Sequence, residues 1–223
     1  MTGTMAQANT YSYDNAGHRQ SYDILLPAVL KILAAEKVHR IFDLGCGAGT
    51  FDQILVDKGF DVIGVDPSES GITLGQQAYP SLKIHLGSAY DDLAKTYGTY
   101  PSVLSLEVVE HLYDPHRWAK TAYDLIEDGG VLIVSTPYHG WLKNVAIAAS
   151  GKFDSHVHPL NTHGHIKFWS IKTLNALLLQ AGFHSAAFTR VGRIPPLACS
   201  ILALARKGRK EHGQSSPTSR FTP

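Results

Sequence analysis

Two groups of residues in this chain have types and spacings suited to chemistry. The first is Asp43-Leu44-Gly45-Cys46-Gly47-Ala48-Gly49, with Asp66 following Gly49 by 17 residues. Glycines in such a turn let the backbone bend tightly and let a ligand lie against it without interference from a Cβ. A dinucleotide loop would read G-x-G-x-x-G, its third glycine in close helix–strand contact. Here the third glycine falls one residue early, and Thr50 takes the dinucleotide position. Asp43, just before the loop, would repel a pyrophosphate but can accept a hydrogen bond from an ammonium group, so the ligand reads as cationic. Asp66 ends a second β-like run, where a carboxylate faces a ribose and accepts both hydroxyl protons; a 2′-phosphate would be repelled.

The second group is Glu107-Val108-Val109-Glu110-His111, followed by a stretch from 137 to 169 that holds Tyr138, His139, Trp141, Phe153, His156, His158, His163, His165, Phe168 and Trp169. Histidine titrates near neutrality and His111 follows a strand end, so it is the first candidate general base. The histidines of the long stretch compete with it. A helical turn beginning at Glu107 would set Glu107, Glu110 and His111 on one side. Two carboxylates and an imidazole form a mixed donor set for Mg²⁺, Mn²⁺ or Zn²⁺. The alternative is that the two acids cap or bridge locally while His111 packs beside the bound ligand.

Positioning these groups requires a strand–helix alternation, and the sequence supplies one. Residues 41–44, 61–65, 82–86, 103–106 and 131–134 are short apolar runs suited to strands covered on both faces. Helical spacing covers 50–58, a segment opened by Ser68 as N-cap and running to Tyr79, and 118–126. A helix over 171–181 with Gly182 at its C′ position precedes two closing strands, 183–191 and 198–205. The expected fold is a single α/β domain over 1–205: a Rossmann-like, doubly wound, seven-stranded, mostly parallel sheet with an antiparallel last strand and helices on both faces. Residues 1–38 are expected to form a helical lid, 137–169 a cap over the carboxyl ends of the strands, and 206–223 a disordered tail. Residues 141–149 read as one short apolar helix, serving to pack on the core, to meet a greasy substrate or to touch a membrane surface.

With 223 residues, 44% of them hydrophobic, the chain suits one domain with embellishments. A formal net charge of +1 supplies no bulk field for nucleic acid, which argues against a polyanion partner. Cys46 and Cys199 make neither a disulfide framework nor a zinc knuckle and read as reduced thiols. The opening MTGTMAQANT lacks both a cationic and an apolar segment, and no run approaches the ~20 apolar residues of a membrane span. A soluble cytoplasmic protein is the simplest expectation.

The D-L-G-C-G-x-G loop resembles the first motif of class I S-adenosylmethionine-dependent methyltransferases, and the likeness runs across 41–205. It implies S-adenosylmethionine as cofactor, Gly45, Gly47 and Gly49 against its methionine portion, and Asp66 on its ribose. Gly87-Ser88-Ala89 matches the family segment beside the adenine, with Ser88 where the family often carries an acid. Leu106 matches the position whose backbone borders the cofactor. Glu127-Asp128-Gly129-Gly130 resembles the family's K-P-G-G turn.

More narrowly, Leu106 to His111 resembles the E-x-x-E-H segment of the ubiquinone-biosynthesis O-methyltransferase group, as do Ser135-Thr136-Pro137 and the stretch 192–207. That group carries an arginine for the cofactor carboxylate where Arg19 stands, a bidentate task that suits Arg. Tyr11, Tyr13 and Tyr22 are candidates for the same lid or for packing on the core. The resemblance implies methyl transfer to a small-molecule acceptor at a hydroxyl oxygen, with nucleic acid disfavoured and peripheral membrane contact left open. Small-RNA 2′-O-methyltransferases share the E-x-x-E-H segment, and His165 resembles the last histidine of their metal site. A metal-assisted enzyme acting on RNA or another macromolecule is therefore the alternative, against which the near-neutral charge and short cap weigh. A nicotinamide-binding domain is disfavoured by the early glycine and by Asp43.

Overall fold

The computed structural model describes residues 12–14, 16–17, 20–157, 160–161 and 164–209. The chain alternates helix α1 (Gln20–Glu36), β1 (Arg40–Leu44), α2 (Thr50–Asp57), β2 (Asp61–Asp66), α3 (Glu69–Ala78), β3 (Lys83–Leu86), α4 (Leu93–Tyr97) and β4 (Tyr100–Leu106). It continues through α5 (Pro115–Asp124), β5 (Ile126–Pro137), α6 (Trp141–Ala149), α7 (Phe153–Val157), α8 (Ile171–Gln180), β6 (Ser185–Val191) and β7 (Ser200–Arg206). The seven strands lie in the order β3-β2-β1-β4-β5-β7-β6. β7 runs antiparallel between β5 and β6, and the pairs from β3 to β5 are parallel.

Alternate residues of the central strands feed two cores, which is why these strands are apolar almost without interruption. Ile41, Leu104, Ile133 and Leu202 meet Leu25, Val29 and Leu33 of α1 and Phe51 and Leu55 of α2. Phe42, Val103, Leu132, Val134 and Ala203 face the other way, against Trp118, Ala119 and Ala122 of α5 and Leu174, Leu177 and Leu178 of α8. Helix α1 therefore packs as a layer of the domain, and it is Tyr13 and Ala16, before it, that reach the glycine loop. Ser68 caps α3 by accepting the Gly71 amide hydrogen, and Gly182, at φ 102°, closes α8 with its amide on Leu179 O.

Two boundaries differ from expectation. β5 extends back through the Gly-Gly turn to Ile126, taking a register shift opposite Tyr100 and Ser102. The fold also continues past residue 205. Arg206 ends β7 in a two-pronged pair with Glu36, and Lys207 Nζ donates to the carbonyls of Tyr123 and Ile126. These charge-assisted bonds hold a segment whose polar composition suggested disorder; residues 210–223 lie outside the described residues.

The strand order reverses between β1 and β4, which are neighbours. Connections leaving their carboxyl ends diverge to opposite sides, and the crevice between them is where open α/β sheets bind ligands. The two chemically suggestive groups of the sequence occupy the two sides of that crevice.

Candidate active site

After β1 the chain turns through Gly45, Gly47 and Gly49 at φ 103°, 58° and 72°, left-handed conformations that an L side chain rarely adopts. The turn is held to β2 by the amides of Gly45 and Cys46, which both donate to Val65 O. Asp66 ties it further: Oδ2 accepts the Gly47 amide hydrogen at 2.9 Å and Oδ1 that of Ser68 at 2.9 Å. The loop after β3 joins this edge through Gly87 N, which donates to Asp66 O at 3.1 Å. Within it Ser88 Oγ accepts from Tyr90 N, Ser88 N donates to Asp91 Oδ2 at 2.7 Å, and Ala89 is buried. The acid of this loop thus stands three residues beyond Ser88, bound to its backbone.

Residues 12–14 and 16–17 cross the glycine loop. Tyr13 N donates to Ser70 Oγ, Thr50 Oγ1 donates to Ala16 O at 2.6 Å, and the Tyr13 hydroxyl lies where a Cβ on Gly47 would come within 2.5 Å of it. Tyr13 therefore belongs to the covering segment. Tyr22 instead packs edge-on against Phe51, with ring centroids 5.3 Å apart, as part of the core. Arg19 and Tyr11 lie outside the described residues.

On the other side of the crevice, β4 ends at Leu106, paired in register with Ser135. The expected helical turn from Glu107 does not form. Glu107 sits at φ 56°, its carboxylate drawn back to Ser135 Oγ at 2.8 Å and its amide to Ser135 O, and only Val109–His111 makes a 3₁₀ turn. Glu107 is thereby tied to β5 instead of joining the other two, which was invisible to spacing because it depends on a hydroxyl from β5. Val108 instead packs against Gly45, where a Cβ would meet its Cγ2 at 2.5 Å.

Glu110 and His111 stay together and gain His165. The segment 164–169 is strapped onto the turn: the amides of Ile166 and Lys167 both donate to Glu110 O at 3.0 Å, and Trp169 Nε1 donates to Val109 O. One ligand atom from each of Glu110, His111 and His165 lies within 4.8 Å of the others. His111 Nε2 is 3.9 Å from Glu110 Oε1, and its ring is 35% exposed. The Glu110 carboxyl is 1% exposed and has no hydrogen-bond partner at bonding geometry among the described residues. Burial, reinforced by Glu107, pushes its pKa well above the usual carboxylate range, and its own backbone amide and the nearby Thr136 hydroxyl offset only part. A dry carboxyl beside two imidazoles is a donor set that fits a divalent cation.

The cap contains a cavity of about 220 Å³ lined by His139, Asn144, Ile147, Phe153, His156, Val157 and Phe168. His139 anchors it, with its ring 4.8 Å from Phe168 and 5.3 Å from His156, and Nδ1 3.2 Å from Asn144 Oδ1. The most conspicuous aromatics of the stretch are not in this lining. Tyr138 is buried under the Arg190 guanidinium, and Trp141 is 77% exposed. Packing of α6 on the core is also not found: none of its residues is buried. His158 and His163 lie outside the described residues.

The chain belongs to the family described as "Methyltransferase domain", which matches residues 16–186. The ubiquinone biosynthesis O-methyltransferase of Azorhizobium caulinodans is 34% identical over 149 residues, 65% of this chain and 58% of that protein. The protein of the same name from Coxiella burnetii is 26% identical over 162 residues, 70% of this chain and 69% of its own. This chain thus spans little more than half the length of the first relative. Among solved structures, magnesium protoporphyrin IX methyltransferase from Synechocystis PCC 6803, with S-adenosylhomocysteine bound, superposes at a TM-score of 0.61 with 21% identity, over 88% of this chain and 90% of that one. The methyltransferase domain of bacterial CtHen1 does so at 0.62 with 22% identity, over 81% and 96%.

The fold is that of a methyltransferase domain, and the crevice has features that fit S-adenosylmethionine. The turn carries no Cβ at Gly45, Gly47 or Gly49, where Val108, Tyr13 and Leu82 close in on the backbone, and Asp43 Oδ1 is buried with no hydrogen-bond partner among the described residues, a fit for an ammonium hydrogen. Burial raises the Asp43 pKa to about 6; a hydrogen bond with Asp52 lowers it, and nearby Asp66 raises it.

Proposed function

We propose that this enzyme transfers a methyl group from S-adenosylmethionine to a hydroxyl oxygen of a small molecule held beneath the cap. The observation that carries this reading is the cavity of about 220 Å³ lined by His139, Phe153 and Phe168. It adjoins the strap that brings His165 to His111, and it has room for a ring-sized group rather than a polymer. The names of the ubiquinone-biosynthesis relatives support oxygen as the acceptor. Exposure of Trp141, Leu142 and Val145 on α6 suits a greasy acceptor or peripheral contact with a membrane surface.

The cofactor, when bound, supplies an electrophilic methyl on a sulfonium. Gly45, Gly47 and Gly49 hold its methionine part, Asp43 its ammonium and Asp66 its ribose hydroxyls, while Ser88 and Ala89 flank the adenine and Leu106 borders it. Arg19 is assigned to its carboxylate on resemblance alone. Tyr13 covers the loop and limits water. The cap would align the acceptor in line with the methyl, and His111 would take the hydroxyl proton as the methyl passes from sulfur to oxygen, the methyl–sulfur bond breaking and S-adenosylhomocysteine leaving.

A second reading is favoured by the dry Glu110 carboxyl facing His111 and His165. These three would hold a divalent ion, which would act as a Lewis acid toward an acceptor hydroxyl in place of a protein base. Labelled S-adenosylmethionine offered with a panel of monohydroxy and ortho-dihydroxy aromatic compounds tests the first reading. O-methylated product is expected, and turnover only with amines or RNA would overturn it. Elemental analysis of protein purified without chelators, with activity before and after EDTA, separates the two mechanisms.

A further inference from the structure

Beneath the glycine loop lies a carboxyl that looks, in sequence, like an ordinary polar residue in the first turn of a helix. Asp52 of α2 is 1% exposed, and both its oxygens, like Asp43 Oδ1, meet no hydrogen-bond donor among the described residues. Asp43 pairs in register with Gly64 of β2, and Asp52 Oδ2 lies directly over that glycine, so the two carboxyls share one buried face beside the β1–β2 pair. Gly64 on β2 makes the room: a Cβ there would collide with Asp52 Oδ2 and come within 2.7 Å of Cys46 Cβ. The other titratable groups facing the pair are Asp66 on β2 and the Cys46 thiol, which burial keeps protonated. Among the described residues the charge acting on the pair is thus negative, and two dry carboxylates in contact cannot both ionise. They behave as one unit with a proton between them.

We propose that Asp52 is the proton-holding partner of Asp43, and that a ligand ammonium seated at the glycine loop expels the shared proton, so that Asp52 sets the proton count of cofactor binding. The inference rests on the reading of Asp43 as the acceptor for that ammonium. The balance is simple: an N–H···O bond forms from the ligand to Asp43, the carboxyl O–H ionises, and the proton leaves to solvent. The pocket gains one positive charge and loses another. Asp52 thereby favours ligands that carry an amino-acid portion, and does so with a pH dependence that a lone aspartate would not give.

Calorimetry in buffers of different ionisation enthalpy, at about pH 6, counts the protons released as ligand binds. The probes are S-adenosylhomocysteine and 5′-methylthioadenosine, which lacks the amino-acid portion. Wild-type protein is expected to release roughly half to one proton with the first and less than about a tenth with the second. Asp52→Asn keeps the side-chain volume and is expected to cut the release with S-adenosylhomocysteine at least about 3-fold while still binding it. Proton-silent binding by the wild type, or equal release by Asp52→Asn, overturns the inference alone. Failure of S-adenosylhomocysteine to bind the wild type would overturn the cofactor assignment and the inference with it.

Discussion

The amide hydrogen of Gly47 is received by Asp66 Oδ2 at 2.9 Å, across the two strand ends that frame the cofactor crevice. The same carboxyl receives Ser68 N–H, so the acid assigned to the ribose also fixes the loop assigned to the methionine. Its burial and these two bonds make Asp66 part of what holds the folded loop as well as part of the site.

Asp66→Ala is therefore expected to lose both affinity and stability. Two buried amides would be left without acceptors, a cost of about 1–3 kcal/mol each before relaxation. Urea denaturation and calorimetric titration with S-adenosylhomocysteine should both register the change. Lost affinity with an unchanged unfolding midpoint would show that the loop does not depend on Asp66.

The Asp43–Asp52 pair makes a second prediction in the protein without ligand. Both carboxyls have folded pKa values above the ordinary 3.8, Asp43 at about 6 and Asp52 raised well above the carboxylate range by burial and by Asp43. Between the unfolded and folded values the unfolded chain has lost protons that the folded chain keeps. The pair's contribution to stability therefore falls as pH rises through this window, starting near 4. Asp52→Asn removes much of that slope. Its melting temperature relative to wild type is expected to be higher at about pH 7.5 than at about pH 4.5; a difference independent of pH would refute the shared-proton account.

Glu110, His111 and His165 yield a third. If they hold a divalent ion, Glu110→Gln and His165→Ala should each reduce methyl transfer about 100-fold or more. S-adenosylhomocysteine affinity should stay within about 3-fold, a change of under 1 kcal/mol. If His111 acts alone as base, only His111→Ala should show the larger loss and EDTA should have no effect. Matched kinetics and metal content across the three variants distinguish the cases.

The cap cavity gives a fourth. Phe168→Ala is expected to raise the acceptor KM by about 10-fold, near 1.4 kcal/mol of lost apolar contact. Trp141→Ala, at an exposed position, should change it far less in detergent-free solution. Cofactor affinity should be unaffected in both. Equal loss of cofactor binding in Phe168→Ala would mean that the cavity belongs to the cofactor site.

The parts of the molecule that were legible in sequence are those governed by local periodicity. The runs ending at Leu44, Asp66 and Leu106, the N-cap Ser68 and the C′ glycine Gly182 announce themselves because backbone geometry restricts which residues fit. The glycine loop was legible for the same reason. What stayed hidden depends on contacts between distant segments. Glu107 swings toward Ser135, His165 is delivered to His111 by amides bonded to Glu110 O, and Asp52 finds Asp43 across the β1–α2 turn. In the cap, aromatic character pointed to Tyr138 and Trp141, but burial and exposure there are set by the packing of α6, which nine residues cannot reveal.

Helix α6 buries none of its own residues and is tied down chiefly where Lys143 Nζ donates to Tyr138 O and Ala198 O. Its amides should accordingly exchange with solvent hydrogen far sooner than those of β4 or β5, since opening it uncovers little apolar surface. The same arrangement separates two parts of the molecule. Substitutions along α6 are expected to leave the sheet and the glycine loop undisturbed, because none of its residues is buried. Asn144 and Ile147 line the cap cavity, so it is through these two positions that the helix meets the proposed acceptor pocket.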